Sequence, residues 1–311
     1  MTRYIGKRLL LLLLVVFGVL TGTFILIHLT PGDPALTFLG VKATPEALAA
    51  LRHQWGLDQP LPLQYLTFLA DILRGNLGTS LVYNAPVLSL IVVRLPATLL
   101  LMLMAMIFAI LISLPLATWV AVRGRGVADT TVRVVNAIFQ GTPTFFLGTM
   151  LILYLGLHLR WFPVGGYGSS FGEHLYSLVL PSLAVALSTV PLLVNSLRAS
   201  LTDSLQSEYI AFARSKGLKS STVLGAYAIR NGSISGISIV AIQAGNLVGG
   251  ALVIENVFAI PGMGSMMMTG ILNRDFPVVQ STTVVFALIV VVVFLITDLV
   301  YGVLDPRARV V

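Results

Sequence analysis

The chain contains no cysteine. Disulfides, thiolate metal centres and cysteine nucleophiles are therefore excluded. Charge is nearly as scarce: 10% of the 311 residues are Asp, Glu, Lys or Arg, against about 25% in an ordinary soluble domain. The four histidines, His28, His53, His158 and His174, are scattered without ligand spacing, so no histidine metal site is expected. The phosphate-cradling string G-x-x-x-x-G-K-[S/T] is missing, so ATP cannot be held here in that way. The nucleophile elbow and H-E-x-x-H are missing too, which leaves an intramembrane protease without a motif. What is abundant is apolar surface: 57% of residues are hydrophobic and the mean hydropathy is +0.95. This is the composition of a polytopic membrane protein. The net charge of +7 reads through the positive-inside rule, because no basic stripe carries the interleaved aromatics that nucleic acid asks for.

Residues 1–29 form a basic N-terminus (Arg3, Lys7, Arg8) and an apolar run over 9–29, long enough for a first span. No small-residue cleavage site follows, so it is read as uncleaved, with its N-terminus in the cytoplasm. Residues 30–94 read as an extracytoplasmic helical insertion. Thr44, Pro45 and Glu46 are a helix start, Gly56 ends that helix, and a second helix over 62–74 stops at Gly75. A five-span core over 95–303 follows. Span 2 is expected over 96–120 with Pro96 in its first turn. Span 3 covers 134–157, where Asn136, Gln140 and Thr144 share a helix face and Pro143 predicts a kink. Spans 4, 5 and 6 cover 179–201, 233–254 and 278–303, and 304–311 is a cytoplasmic tail. Lys and Arg gather in the N-terminus, at 121–133, at 198–230 and in the tail, whereas the short outer loops hold only Arg160 and Arg274. Six spans with both ends inside satisfy that asymmetry.

Between spans 4 and 5 lies a polar stretch, 201–231. A short helix is expected over 201–216, ended by Gly217 in a positive-φ turn, and a second near Ser220, capped by its hydroxyl. By charge and length alone this is a docking element or a plain connector. Its residues carry a resemblance, however. Glu208, then A-x-A-R-x-K-G at 211–217, then A-x-R-N at 228–231, resembles the EAA loop of the membrane subunits of binding-protein-dependent ABC importers. The strings P-G-D-P (31–34), L-D-Q-P-L-P (57–62), G-N-L-G-T-S (75–80), R-L-P-A-T (94–98), W-F-P-V-G-G-Y (161–167), E-N-V-F-A-I-P-G-M-G (255–264), N-R-D-F-P-V-V-Q (273–280) and L-D-P-R (304–307) are similar to the dipeptide and oligopeptide (peptide/nickel) branch of that family. One departure is Ser235, where the family usually has a proline just after the Arg-Asn pair.

The resemblance implies an all-α polytopic fold of the type I ABC importer kind, with six transmembrane helices and the insertion between spans 1 and 2. It implies that Glu208, Tyr209, Ala211, Ala213, Arg214, Lys216, Gly217, Arg230 and Asn231 dock into a cytosolic ATPase. The chain then binds no cofactor, and ATP and Mg sit on the partner ATPase subunits. The implied partners are a second homologous permease subunit, two cytosolic ATPase domains, an extracytoplasmic solute-binding protein and membrane lipid, with no nucleic acid. The implied place is a bacterial or archaeal cytoplasmic membrane. The implied function is ATP-driven peptide import. A nickel-chelate or other small-solute importer is the alternative, and a secondary transporter without an ATPase a further one. Secondary carriers bury acids near the midplane, whereas charges within spans are almost absent here: Asp298 lies in the last two turns of span 6 and His28 ends span 1.

Four neutral amides are candidates for a solute path: Gln243 and Asn246, three apart with Gly250 continuing their face, and Asn136 and Gln140. Amides suit peptides because they satisfy backbone N–H and C=O without fixing a charge. They also glue spans together, and the sequence leaves both readings open. Glu255, at the outer end of span 5, faces a binding protein or outer gate, or snorkels into headgroups. Met266, Met267 and Met268 form an adaptable contact surface or pack within the membrane.

Overall fold

The computed structural model describes residues 2–29, 34–39, 43–124 and 126–304. Outside the described residues lie residues 30–33, Lys42, Arg125, residues 305–311, and the side chains of Arg3, Lys7, Arg8, Asn231, Ser235, Ser238 and Asp298. The fold is helical, and pairing of extended chain among the described residues is confined to one bridge between Thr79 and Pro86. Among the described residues, three helices are long and apolar enough to cross a membrane: Val87–Arg123, Val179–Leu205 and Phe276–Thr297. A bent pair, Val127–Gly141 and Thr144–His158, makes a fourth if taken as one broken span.

The chain divides into two compact units. The first joins α1 (Thr2–Leu29), α2 (Pro34–Leu39), α3 (Pro45–Gln54), α4 (Leu61–Leu73), the start of α5 (Val87–Arg123), α13 (Met263–Leu272) and the start of α14 (Phe276–Leu304). Helix α3 begins as its sequence dictates: Thr44 Oγ1 accepts from the Ala47 N–H at 3.2 Å and Pro45 opens the first turn. Gly56 and Gly75 end α3 and α4 at positive φ. Helix α4 lies on α1 through the Thr21 and Tyr65 hydroxyls, 2.6 Å apart, and Phe24 packs on Tyr65 and Phe68.

Asp275, fully buried between α13 and α14, holds the 76–86 loop. Its carboxylate accepts from Ser80 Oγ at 2.6 Å, the Val82 N–H at 3.0 Å and the Val278 N–H at 3.4 Å. Asp275→Ala leaves the buried Ser80 and Val278 donors unmet, at about 1–3 kcal/mol for each that water cannot reach, and frees the part-buried Val82 N–H. The expected result is proteolytic nicking within 76–86 that the parent chain resists.

Pro96 is not in a first turn. Helix α5 begins at Val87, because Val87 and Ile91 are buried and extend the helix upstream of the proline.

The second unit contains the rest of α5, α6 (Val127–Gly141), α7 (Thr144–Leu151) with a π-helical continuation over Ile152–His158, α8 (Phe171–Ser177), α9 (Val179–Leu205), α10 (Glu208–Ser215), α11 (Ser220–Thr222) with a π-helical continuation over Val223–Ile229, α12 (Arg230–Val257) and the end of α14 from Val292. Helix α9 is its centre: α6, α7 and α12 all pack on it. It is 61% buried over its apolar window, against 28% for α5. The approach of α12 depends on glycine. A Cβ at Gly232 would lie 2.7 Å from Leu201 Cδ2, and one at Gly236 2.5 Å from Leu197 Cδ2. This small-xxx-small spacing lets two spans touch closely.

The kink expected at Pro143 is a full break: α6 and α7 meet at 102°, with Thr142 extended between them. Thr144 is therefore off the helix that carries Asn136 and Gln140.

Outside the apolar segments, Ser170 and Glu173 form a capping box at the start of α8. Hydrogen bonds from the Ser169 N–H, the Ser169 hydroxyl and the Ser170 N–H hold the Glu173 pKa below the ordinary 4.5. A depressed folded-state pKa stabilises above the unfolded value and is lost as pH falls through the folded one. The protection factors of the Ser169 and Ser170 amides, which are exchange rates corrected for their intrinsic pH dependence, should therefore hold at neutral pH and fall only below pH 4.5.

Candidate functional site

The 206–229 segment is built to show one surface and hide another. Helix α9 stops at Leu205, so the single helix expected over 201–216 is in fact two. The Ser204 carbonyl is taken by Ser207, through its hydroxyl at 2.5 Å and its N–H at 3.1 Å, and Ser207 turns extended. Helix α10 follows and ends at Gly217, whose φ of +76° allows the Gly217 and Leu218 N–H groups to bond back to the Arg214 and Ala213 carbonyls. Nothing lies within 4 Å of a Cβ built there, so the glycine answers a backbone need. Ser220 does not cap the next helix. It is the first helical residue, the preceding Lys219 makes no side-chain cap, and the helix runs without a break through Val257. The loop's second half is thus one rod with the span expected to start at Ser233.

Ile210, Ala213, Val223 and Ala228 form a small core with Leu205 and Leu224 around them. Ala213, expected to meet a partner, points into this core at 5% exposure. It packs inside the segment and is not part of its exposed surface. Glu208, Ala211, Arg214, Lys216, Gly217 and Arg230 are exposed. So are Tyr209, whose hydroxyl pairs with Ser204 Oγ at 2.5 Å, and Phe212, over which Lys216 Nζ sits 4.6 Å from the ring centroid. Phe212, Leu218 and Tyr227 are large exposed apolar side chains that the motif reading passed over. Their signal was available: an aromatic within a charged stretch has no lipid or core to enter.

The break between α6 and α7 opens a cavity of about 300 Å³ against α9 and α12. It is lined by Gln140, Thr142 and Thr144 at the break, Ser188 and Thr189 on α9, and Gln243, Asn246 and Gly250 on α12, with apolar side chains between. None of its lining residues is charged. Asn246 Nδ2 donates to Gln243 Oε1 at 2.8 Å. That leaves the Gln243 amide nitrogen and the Asn246 amide oxygen without a partner among the described residues. Such a pair matches the C=O and N–H of a peptide unit. Three of the four amide candidates thus meet at one place. Asn136 does not join them: it is buried, and its Nδ2 donates to Asn195 Oδ1 on α9 at 3.4 Å.

Glu255 does not snorkel. It is fully buried and accepts from Thr98 Oγ1 at 2.6 Å. Met266 is likewise buried, and Met267 and Met268 are partly so, which favours packing over an open contact surface.

Comparison with known proteins places this geometry. Residues 113–310 match the family model described as binding-protein-dependent transport system inner membrane component, and residues 1–103 match its N-terminal model. The dipeptide transport system permease protein DppB of Lactococcus lactis subsp. cremoris is 36% identical over 99% of this chain and 100% of its own. The oligopeptide transport system permease protein AppB of Bacillus subtilis is 33% identical over 99% of each. The probable D,D-dipeptide transport system permease protein DdpB of Escherichia coli is 35% identical over 95% of this chain and 94% of its own. In fold, a chain of the inward-facing MetNI methionine ABC transporter superposes with a TM-score of 0.59 at 17% identity, covering 71% of this chain and 98% of that one. The chain therefore belongs to the family of binding-protein-dependent transport system inner membrane components, among its dipeptide and oligopeptide permeases.

Proposed function

We propose that this chain is one membrane subunit of an ATP-driven peptide importer of the cytoplasmic membrane. It crosses six times with both ends inside, and residues 30–94 lie on the outer face. A second homologous permease completes the path, a solute-binding protein delivers peptide from outside, and two cytosolic ATPase domains carry the ATP and Mg. The chain contributes no catalytic group of its own.

Coupling runs through α10 and the rod that begins at α11. The observation that carries this reading is the exposed set Tyr209, Ala211, Phe212 and Lys216 on a segment that feeds directly into α9 at one end and α12 at the other. Closure of the ATPases moves α10; α9 and α12 follow because they are its neighbours in the chain. The bundle rocks between outward and inward access. The neutral cavity at the 141–144 break supports a peptide cargo, since its amides and hydroxyls meet a peptide unit without selecting a charged side chain.

The test is uptake into proteoliposomes holding both permeases and both ATPases, supplied with the binding protein. Labelled di- and tripeptide should enter only with ATP and regardless of a protonophore. Uptake that follows a proton gradient without ATP contradicts the proposal, and uptake of a nickel chelate in place of peptide assigns the other cargo.

A further inference from the structure

Asp129 is the carboxylate least expected from the sequence. It sits in the first turn of α6, a position that the helix N-terminus favours for an anion, yet it is 1% exposed. Arg198 Nε of α9 reaches its Oδ1 at 2.6 Å, and Arg133, one turn on along α6, reaches its Oδ2 at 3.1 Å. Both contacts are charge pairs without hydrogen-bond alignment, and among the described residues neither carboxylate oxygen accepts a hydrogen bond. Two turns further along α6, Asn136 bonds Asn195, which lies three residues before Arg198 on α9. One seam thus carries a buried carboxylate paired with two partly exposed arginines, and a buried Asn136 bonded to an exposed Asn195. Removing Arg198 while the helices stay packed would leave a buried carboxylate with only the more exposed Arg133, which costs several kcal/mol.

The two ends of this seam lead to the two places the function needs. Seven residues beyond Arg198, α9 ends at Leu205 and the docking segment begins. At its far end α6 carries Gln140 and the break that shapes the cavity. We infer that Asp129, through Arg198, locks α6 and α9 into one body, so that displacement of the docking segment arrives at the cavity through α6. Asp129 and Arg198 are positioning residues: neither touches peptide or nucleotide. The inference rests on the docking reading above.

The assembled transporter tests it in proteoliposomes, with partner cysteines changed to serine; this chain has none to remove. In Asn136→Cys/Asn195→Cys, a short reducible bis-thiosulfonate bridge should leave peptide uptake at the rate of the unbridged protein, because the seam never opens. Uptake lost on bridging and restored by reduction overturns the inference. In Asp129→Asn, peptide moved per ATP hydrolysed should fall at least about fivefold, since a neutral amide no longer holds Arg198, and Asp129→Glu should recover it. A fall of uptake and hydrolysis in equal proportion, or an unchanged ratio, overturns it as well. Should Asp129→Asn fail to assemble, the bridge decides alone. Failure of the docking reading shows separately, as normal transport by Ala211→Glu, and does not alter what the bridge reports.

Discussion

Ala211→Glu is expected to cut peptide uptake by at least about a hundredfold while the chain still inserts and pairs with its partner permease. The methyl group of Ala211 is exposed beside Phe212 and Tyr209. A segment this short buries at most about 800 Å² against one partner, and a carboxylate pressed into such a surface without a counter-charge costs about 3–5 kcal/mol. The loss should appear in uptake and in transport-coupled ATP hydrolysis, with protein levels unchanged. Ala213→Glu gives a different result for a physical reason. Ala213 lies in the core with Ile210, Val223 and Ala228, so a charge there disrupts the segment itself and lowers the amount of assembled protein. Gly217→Asp falls between the two. It adds a charge at an exposed turn and costs about 1–2 kcal/mol for a side chain at positive φ. Normal uptake by Ala211→Glu removes the docking assignment.

Gln243→Leu is expected to reduce peptide uptake about fivefold to thirtyfold, the worth of one or two hydrogen bonds at about 1 kcal/mol each, with assembly and thermal stability unchanged. Leucine keeps the side chain's bulk but removes the amide that faces the cavity beside Asn246. Asn136→Leu is the contrasting variant. Asn136 is buried against Asn195 outside the cavity, so its loss should lower the unfolding temperature and leave substrate affinity alone. Unchanged uptake by Gln243→Leu reduces that amide to packing.

Much of this was legible in the residues. The cap at Thr44, the stops at Gly56, Gly75 and Gly217, and the disturbance at Pro143 are local chemistry, and the structure keeps them. What failed was whatever depended on distant packing. Pro96 looked like a helix start because proline suits a first turn, but the burial of Val87 and Ile91 extends α5 past it. Ser220 looked like a cap, but the helix starts after Lys219. Ala213 looked like a contact because it is small, and it is small because it fits against Val223 and Ala228. At the site, spacing grouped Asn136 with Gln140 on one face, but the 102° break gives Gln140 to the cavity and leaves Asn136 to Asn195. Asp129 and the glycine pair Gly232 and Gly236 stayed hidden, since a lone carboxylate near a loop and glycines at a helix entry carry no signal until α9 lies against them.

Docking requires Phe212 on the cytosolic face, against the ATPases. A single cysteine there, in a chain that otherwise has none, can be probed with a membrane-impermeant maleimide. A cytosolic docking face predicts labelling in inside-out vesicles, none in right-side-out vesicles, and protection once the ATPase subunits are bound. Labelling from the outer face, or labelling indifferent to the ATPases, contradicts it.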